Sequence, residues 1–539
     1  MDQVANRRSN TSHVNNSNTN NESTVSDITD LPHDVFLLIL SHLSPTESVL
    51  CRRVSRSWNS VFASDDVSWN LMRWHFPRAR EMRNAVGAPD HPAWAHIFPK
   101  VVRRYLHLRS AKPRLIEKIE QARQDDSFQE VEPWSRWLRW NDSVAIFQDR
   151  DPSWCLEDGL LIYQENVSGG YVAYDLETRR HFSVPFDGAD KIVRRLRLAH
   201  SILVIEWCER EPRELFNRKD IRRHFATAFD VRRSTESGST GPLDSWGIRF
   251  RSEWKMHHLD LPVTRHTRFF STHTATHYAL YLWQHDGSPE NEADPEEQLT
   301  IWNIEGASPY RPSKDPSGTH KPDPTQPQPR VIKKFMEGAL DFFGIRQRDT
   351  PALREILLDE ENIYVHEEEH RWLAGEHSSP IPPRNHYVRS TGIPLSGAGP
   401  RWFDDCCADG DIRMSFCPRA GPVAHFSDGN RSGIPTRFDG TWVGWAPCWR
   451  HEEFPYLTLS DVVDSGAGVR IVARQCFVME ALSSFVLPKI SLKAEPDETP
   501  EVRFADDLWR QLLGKAKIKG DERWVVGEDW NGSITVVRF

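Results

Sequence analysis

Between Asp34 and Leu43 the chain reads "DVFLLILSHL", and seven of those ten residues are apolar. A helix there carries Val35, Leu38, Ile39 and His42 on one face, while Phe36, Leu37, Leu40 and Leu43 fall largely on the others. A helix that is apolar most of the way round needs cover on several sides. "TDLP" marks its start, with Asp30 as a candidate cap beside Leu31 and Pro32, and the pattern predicts helix from about His33 to Leu43. "SPTE" then restarts the chain, with Ser44 as N-cap, Pro45 at the first helical position and Glu47 three residues after the cap. Leu50, Val54 and Trp58 recur at four-residue spacing, which predicts one face of the next helix. So short a stretch supplies too small a core to cover everything. The remaining apolar surface is covered either by a partner or by the rest of the chain.

Further along, "VVRRYLHLR" and "RLIEKIEQAR" are amphipathic with Pro113 between them, which predicts a partly helical connector over 76–130. After about Trp134 short runs alternate apolar and polar residues, the pattern of strands. An internal echo runs through them: Tyr174-Asp175-Leu176, Phe229-Asp230-Val231 and Trp302-Asn303-Ile304, with a looser copy at Leu259-Asp260-Leu261 and another unit opening at "NIYVHEE". Repeats of several strands predict a β-propeller-like domain. The aliphatic members stand 55 and 73 residues apart, wider than the roughly 40–45 of a standard blade, so insertions are required. A β-sandwich stays open as the alternative. The insertions are placed near 286–298, where "DGSPENEADPEE" holds six acids and no base, at 306–330 with seven prolines, and at 374–400. Asn531-Gly532 predicts a C-terminal hairpin that closes a ring beside the earliest β segment, near Trp134 to Tyr163. The expected layout is a disordered tail over 1–26, a helical module over 27–75, a connector over 76–130 and a β-rich domain over 131–539.

With 539 residues more than one domain is expected, and a net charge of −9 gives no positive field for nucleic acid or anionic membrane. The first 26 residues lack the apolar core of a secretory signal, and no apolar run reaches the roughly 20 residues of a membrane helix. Eight scattered cysteines then read as reduced thiols in the cytoplasm or nucleus.

The order of residues in "LPHDVFLLILSHLSPTESVLCRRVSRSWNSVFASDDVSWN" resembles the F-box. The resemblance is carried by Leu31, Pro32, Asp34, Val35, Ile39, Leu40, Leu43, Pro45, Leu50, Val54, Arg56, Trp58 and Trp69; Ser48-Val49 departs from the more usual Asp-Leu. It spans about 45 of 539 residues. The resemblance implies a substrate receptor of an SCF-type cullin–RING ubiquitin ligase, docking on the Skp adaptor through its aliphatic residues and holding a protein target with its second domain. On that footing Leu31, Pro32, Val35, Ile39, Leu40, Leu43, Pro45 and Leu50 are the expected adaptor contacts, and Val54, Trp58 and Trp69 the module's own core. The resemblance implies no catalytic residue, cofactor or metal. A scaffold acting outside ubiquitylation, or an enzyme with its site in the β domain, are the alternatives.

Other constellations are weak. Cys406, Cys407, Cys417, His425, Cys448 and His451 lack the paired spacing of a zinc site. His257, His258, His266, His273 and His277 read as strand histidines, with His273 and His277 on one face. Trp134, Trp137 and Trp140 interleave with Arg136 and Arg139, and Trp442, Trp445 and Trp449 follow the same style. Packing between β units explains such aromatics better than a stacking platform does. "VRRLR", "IRRHF" and "VRRS" supply arginines that a reader of anionic motifs would need to bring together.

Overall fold

The computed structural model describes residues 28, 31–85, 93–122, 135–140, 143–148, 152–215, 218–234, 245–257, 268–284, 295–348, 353–372, 384–395, 402–408, 456–477, 486–494, 502–505, 507–514 and 517–539. The tail over 1–26 lies outside them. The chain divides into two compact units, residues 1–105 and 106–539.

The first unit is helical: α1 (His33–Ser41), α2 (Pro45–Cys51), α3 (Arg56–Phe62), α4 (Asp65–His75), α5 (Arg80–Ala85) and most of α6 (Trp94–Ser110). Serines start three of these helices. The hydroxyls of Ser44, Ser55 and Ser64 accept from the backbone N–H of Glu47, Trp58 and Val67, and Glu47 answers Ser44 to complete a capping box. α1 is capped differently: Pro32 precedes it with no side-chain cap, and its carbonyl accepts from Phe36. Ser55 is the cap that four-residue spacing alone overlooks. It breaks the chain between Leu50 on α2 and Trp58 on α3, so Val54 belongs to neither helix.

The second unit is built of strands. β1 (Leu115–Ile119) comes first, then the hairpin β2 (Ser135–Trp140) and β3 (Ser143–Gln148). Sheet I holds β4 (Cys155–Glu157), β5 (Leu160–Gln164), β6 (Tyr171–Asp175) and β7 (His181–Ser183). In sheet II, β8 (Lys191–Ala199) and β9 (Ile202–Glu209) are followed by an inserted hairpin, β10 (Arg213–Leu215) and β11 (Arg218–Ile221). β12 (His224–Ser234) and β13 (Ser245–Lys255) complete it. Sheet III is β14 (Arg268–His273), β15 (His277–Gln284), β16 (Glu296–Asn303) and β17 (Arg330–Met336), trailed by α7 (Glu337–Phe343). Sheet IV is β18 (Leu353–Leu358), β19 (Asn362–Trp372), β20 (Arg384–Pro394) and β21 (Trp402–Ala408). Sheet V is β22 (Tyr456–Asp464), β23 (Val469–Phe477), β24 (Val486–Ala494) and β25 (Val502–Arg503), followed by α8 (Leu508–Leu512). Sheet VI joins β26 (Lys519–Gly520), β27 (Trp524–Glu528) and β28 (Ile534–Arg538) to β1.

Four pairs of neighbouring sheets share a common core. Continuous apolar clusters join I to II, II to III, III to IV and VI to I. α8 lies against β24 of sheet V and against β27 and β28 of sheet VI. First strands meet at one edge of the stack: β4 lies beside β8 and β26, and Arg195 and Arg197 of β8 donate to Ser271 of β14 at 3.0 and 2.7 Å. These are the features of a β-propeller, with six described four-stranded sheets.

The echo found in sequence has a structural meaning. Leu176 and Ile304 directly follow the third strand of their sheet, Val231 lies near the end of the longer third strand β12, and all three are buried. Each donates its N–H to the turn between the first two strands of the same sheet: Leu176 to Gly159 at 2.8 Å, Val231 to Ser201 at 2.9 Å and Ile304 to Thr276 at 2.7 Å. The preceding Asp or Asn binds local groups: Asp175 accepts from the N–H of Glu177 and Thr178, Asp230 from Arg251, and Asn303 from the N–H of Glu305. Leu395 to Glu361 and Phe539 to Arg523 repeat the same backbone bond in sheets IV and VI, without the sequence signature. Leu259-Asp260-Leu261 lies outside the described residues. The hairpin β10–β11 inside sheet II lies within the 55-residue interval, and the 306–330 loop inside sheet III, which follows Ile304, delays the next unit.

Two expectations need correction. "RLIEKIEQAR" is not helical: Leu115–Ile119 is β1, paired antiparallel with β28 from Leu115↔Arg538 to Ile119↔Ile534. A free edge on the C-terminal hairpin overrides the local helical spacing. The C-terminal hairpin does pack beside Trp154, Leu161 and Tyr163, within the expected Trp134–Tyr163 region, but it also takes residues 115–119 as a fourth strand. Insertions were expected over 286–298 and 374–400, yet Glu296–Gln298 open β16 and Arg384–Pro394 form β20; Pro394, which disguises the strand, is its last residue.

His224 and His273 of this unit are buried and held neutral. Burial holds the His273 imidazole down at about 4. His224 sits well below the ordinary range through burial and the Arg194 guanidinium, 2.7 Å from its Nε2. An unfolded histidine titrates near 6.5. The stability tied to the neutral form is therefore complete above pH ~6.5 and drains away as pH falls toward 4. Going from pH 7 to pH 5 costs about 2 kcal/mol at His273 alone, taking its folded value as about 4. The melting temperature is expected to fall over that interval, and to fall less in His273→Asn. An undiminished fall in the variant would place the acid sensitivity elsewhere.

Candidate functional site

The helical unit covers only part of α1. Phe36 and Leu40 are buried among Phe62, Val67, Leu71, Met72 and Phe98, with Phe36 edge-on to Phe62 at 5.4 Å. The opposite side is open. Val35 is 45% exposed, Leu38 64%, Leu50 52% and Val54 61%. Leu31 and Ile39 are half-buried beside them in sequence, and Pro32 is exposed. Four large aliphatic side chains in a span of 20 residues thus face solvent on one small unit. Fully burying each would stabilise a complex by about 1.5–3 kcal/mol before the cost of association.

A half-buried guanidinium ties three helices of this unit together. Pro99 lies inside α6 and has no N–H to give the carbonyl of Ala95 four residues earlier. Arg52, at the end of α2, supplies the missing donor at 2.8 Å. Its other terminal nitrogen donates to Ser68 of α4 at 3.0 Å, and the group lies over Phe98 at 5.8 Å. Arg52→Ala is expected to cost about 1.5–3 kcal/mol, the range for hydrogen bonds to a charged group. Pro99→Ala restores an N–H for Ala95, so in that background Arg52→Ala should cost less. Strictly additive denaturation midpoints in the double-mutant cycle would sink this account.

The structure sorts the expected site residues. Val35, Leu50 and Pro32 are exposed, while Leu31, Ile39, Leu43 and Pro45 are half-buried. Leu40 is not a surface residue; it is fully buried because it faces α3 and α4. Val54 is not core: it stands in the break that Ser55 creates. Trp58 stacks on Phe62 at 5.4 Å and Trp69 leans on Trp94 at 4.8 Å, both half-buried against the core. Leu38, the most exposed of the set, was legible from its place between Val35 and Ile39, but the family pattern does not single it out.

The remaining constellations do not assemble a site among the described residues. His273 ends β14 and His277 begins β15 across a turn, so they do not share a strand face. His224 and His257 adjoin, the Nδ1 of His257 accepting from the N–H of His224 at 3.4 Å. The basic runs go into the framework: Arg194 meets His224, Arg195 and Arg197 meet Ser271, Arg223 pairs with Glu209, and Arg233 lies 3.6 Å from Glu177. Trp137 and Trp140 lie on β2, and Cys406 and Cys407 on β21. Trp134, Cys417, His425, Trp442, Trp445, Cys448, Trp449, His451, His258 and His266 lie outside the described residues.

Comparison with known proteins decides the family of the first unit. Residues 28–72 match the F-box-like family model. The chain carries an F-box-like domain. No curated protein matches it. Among solved structures, the Cps50 (Swd1) β-propeller domain of Myceliophteria thermophila is similar at 9% identity, covering 79% of this chain and 100% of its own, with a TM-score of 0.25. A Trypanosoma rangeli sialidase is similar at 9% identity, covering 79% of this chain and 59% of its own, with a TM-score of 0.28.

Proposed function

We propose that this F-box-like protein is the target-recognition subunit of an SCF-type cullin–RING ubiquitin ligase. The carrying observation is the open aliphatic surface of Val35, Leu38, Leu50 and Val54 inside the matched segment. Exposed aliphatic residues on α1 and α2, with Val54 in the break that follows, suit a helix-in-groove contact with the Skp adaptor. The β domain then holds a protein target, and proximity raises the local concentration of that target at the ligase. On this reading the chain works in the cytoplasm or nucleus and leaves ubiquitin transfer to other subunits.

The test is calorimetric titration of the full chain with a recombinant Skp adaptor. Saturable binding at one-to-one stoichiometry is expected. A folded chain that takes up no adaptor would overturn the reading.

A further inference from the structure

A cavity of about 240 Å³ opens in the β domain between the β7–β8 connection, sheet II and the 306–330 loop. It is smaller than the roughly 300–1,000 Å³ of a pocket for a drug-sized ligand, and suits a single side chain. Phe186, Trp207 and Phe229 wall it, with Phe186 edge-on to Trp207 at 6.2 Å and to Phe229 at 6.3 Å. Glu253 of β13 also lines it and is only 5% exposed.

The partners of Glu253 are neutral. One carboxylate oxygen accepts from the Thr227 hydroxyl at 3.2 Å, the other from the backbone N–H of Ser313 at 2.9 Å. The Thr227 hydroxyl in turn accepts from the Trp207 indole N–H at 2.8 Å, which fixes the wall to the carboxylate. Among the described residues no cation stands within ion-pair distance of Glu253. A buried carboxylate with only neutral donors retains unsatisfied acceptor capacity and a charge that favours a cation. The aromatic faces carry negative potential as well.

Two of the neighbouring bases already have partners. Arg311 lies on the Phe250 ring at 4.0 Å. Lys191 donates to the carbonyl of Asp187 at 2.8 Å, and its ammonium stands 5.0 Å from the centre of Trp207 and 5.6 Å from that of Phe186. The protein's own lysine therefore already occupies part of the aromatic surface that an incoming cation would use. An anion drawn in by Lys191 or Lys314 would meet the Glu253 carboxylate.

We propose that this cavity binds a lysine or arginine side chain of the target protein, with Glu253 as counter-ion and Trp207 and Phe186 as the cation-facing walls. The inference rests, for its biological meaning, on the β domain being the target-holding part of a ligase receptor. The probes are N-acetyl-arginine amide, N-acetyl-lysine amide, N-acetyl-glutamate amide and inorganic phosphate, titrated into the full chain with the Trp207 indole N–H followed by NMR. Saturable shifts with the two cationic probes and none with the anions are expected. Glu253→Gln should weaken the cationic probes at least tenfold. Lys191→Met should tighten them several-fold by freeing the rings, a gain that a merely structural lysine would not produce. Saturation by glutamate amide or phosphate, silence of both cationic probes, or an unchanged affinity in Lys191→Met would each overturn the proposal. Adaptor binding measured on the same preparation separates the two readings. Adaptor bound without the probes defeats this inference alone; probes bound without adaptor defeat the ligase reading.

Discussion

A β domain begun at residue 131 is expected to melt far below one begun at residue 106, or not to fold at all. The shorter version lacks β1, and with it the five register pairs to β28. Glu117 also disappears. Its carboxylate accepts from Arg538 at 2.9 Å and from the Tyr174 hydroxyl at 2.7 Å, linking sheet VI to sheet I. The half-buried Arg538 would lose that counter-ion, and hydrogen bonds between charged groups are worth about 1.5–3 kcal/mol. Ile119 leaves the VI–I core, and Gln121 no longer donates to the carbonyl of Gly532 at 2.7 Å. At about 1 kcal/mol for each lost ladder bond the sum rivals a whole domain's stability of about 5–15 kcal/mol. Purification and thermal melts of the two versions decide it, and a synthetic 106–122 peptide should restore the shorter one in trans. Equal melting temperatures would mean that β1 only decorates the ring.

The same strand shows where sequence reading stops. Leu115, Ile116 and Ile119 fit a helical face as well as a strand, and only a partner more than 400 residues away decides between them. Local pattern carries no record of such a partner. The Asp/Asn-aliphatic echo was legible because three sheets bury an aliphatic at the same place, beside a carboxylate or amide that holds the following turn at Asp175 and Asn303 and the Arg251 side chain at Asp230. Leu395 and Phe539 make the same backbone bond, but a backbone bond leaves no trace in residue type. In the helical unit the sequence signals at Ser44, Pro45 and Glu47 placed α2 correctly. The spacing of Leu50, Val54 and Trp58 misled, because apolar periodicity can run straight through a helix break when a serine cap sits inside it. The cavity at Glu253 left no local mark in the sequence, since its parts come from the β7–β8 connection, four strands and a loop.

Leu38→Glu combined with Leu50→Glu is expected to weaken adaptor binding by at least 100-fold and leave the melting temperature unchanged. Both side chains are more than half exposed, so glutamate meets water in the free protein and carries little folding cost. In a complex each would exchange an aliphatic contact of about 1.5–3 kcal/mol for the desolvation of a charge. A 100-fold loss requires about 2.7 kcal/mol, less than the two sites together supply. Leu40→Ala gives the contrast. Leu40 is fully buried among Phe36, Phe62 and Leu71, and its truncation is expected to cost about 2–5 kcal/mol of stability. Its effect on binding should follow only from the fraction unfolded, and should vanish at a temperature where the variant is fully native. Calorimetry and melts on the three proteins separate surface from core. A double-glutamate chain that binds with full affinity would show that the open face of α1 and α2 is not where the adaptor docks.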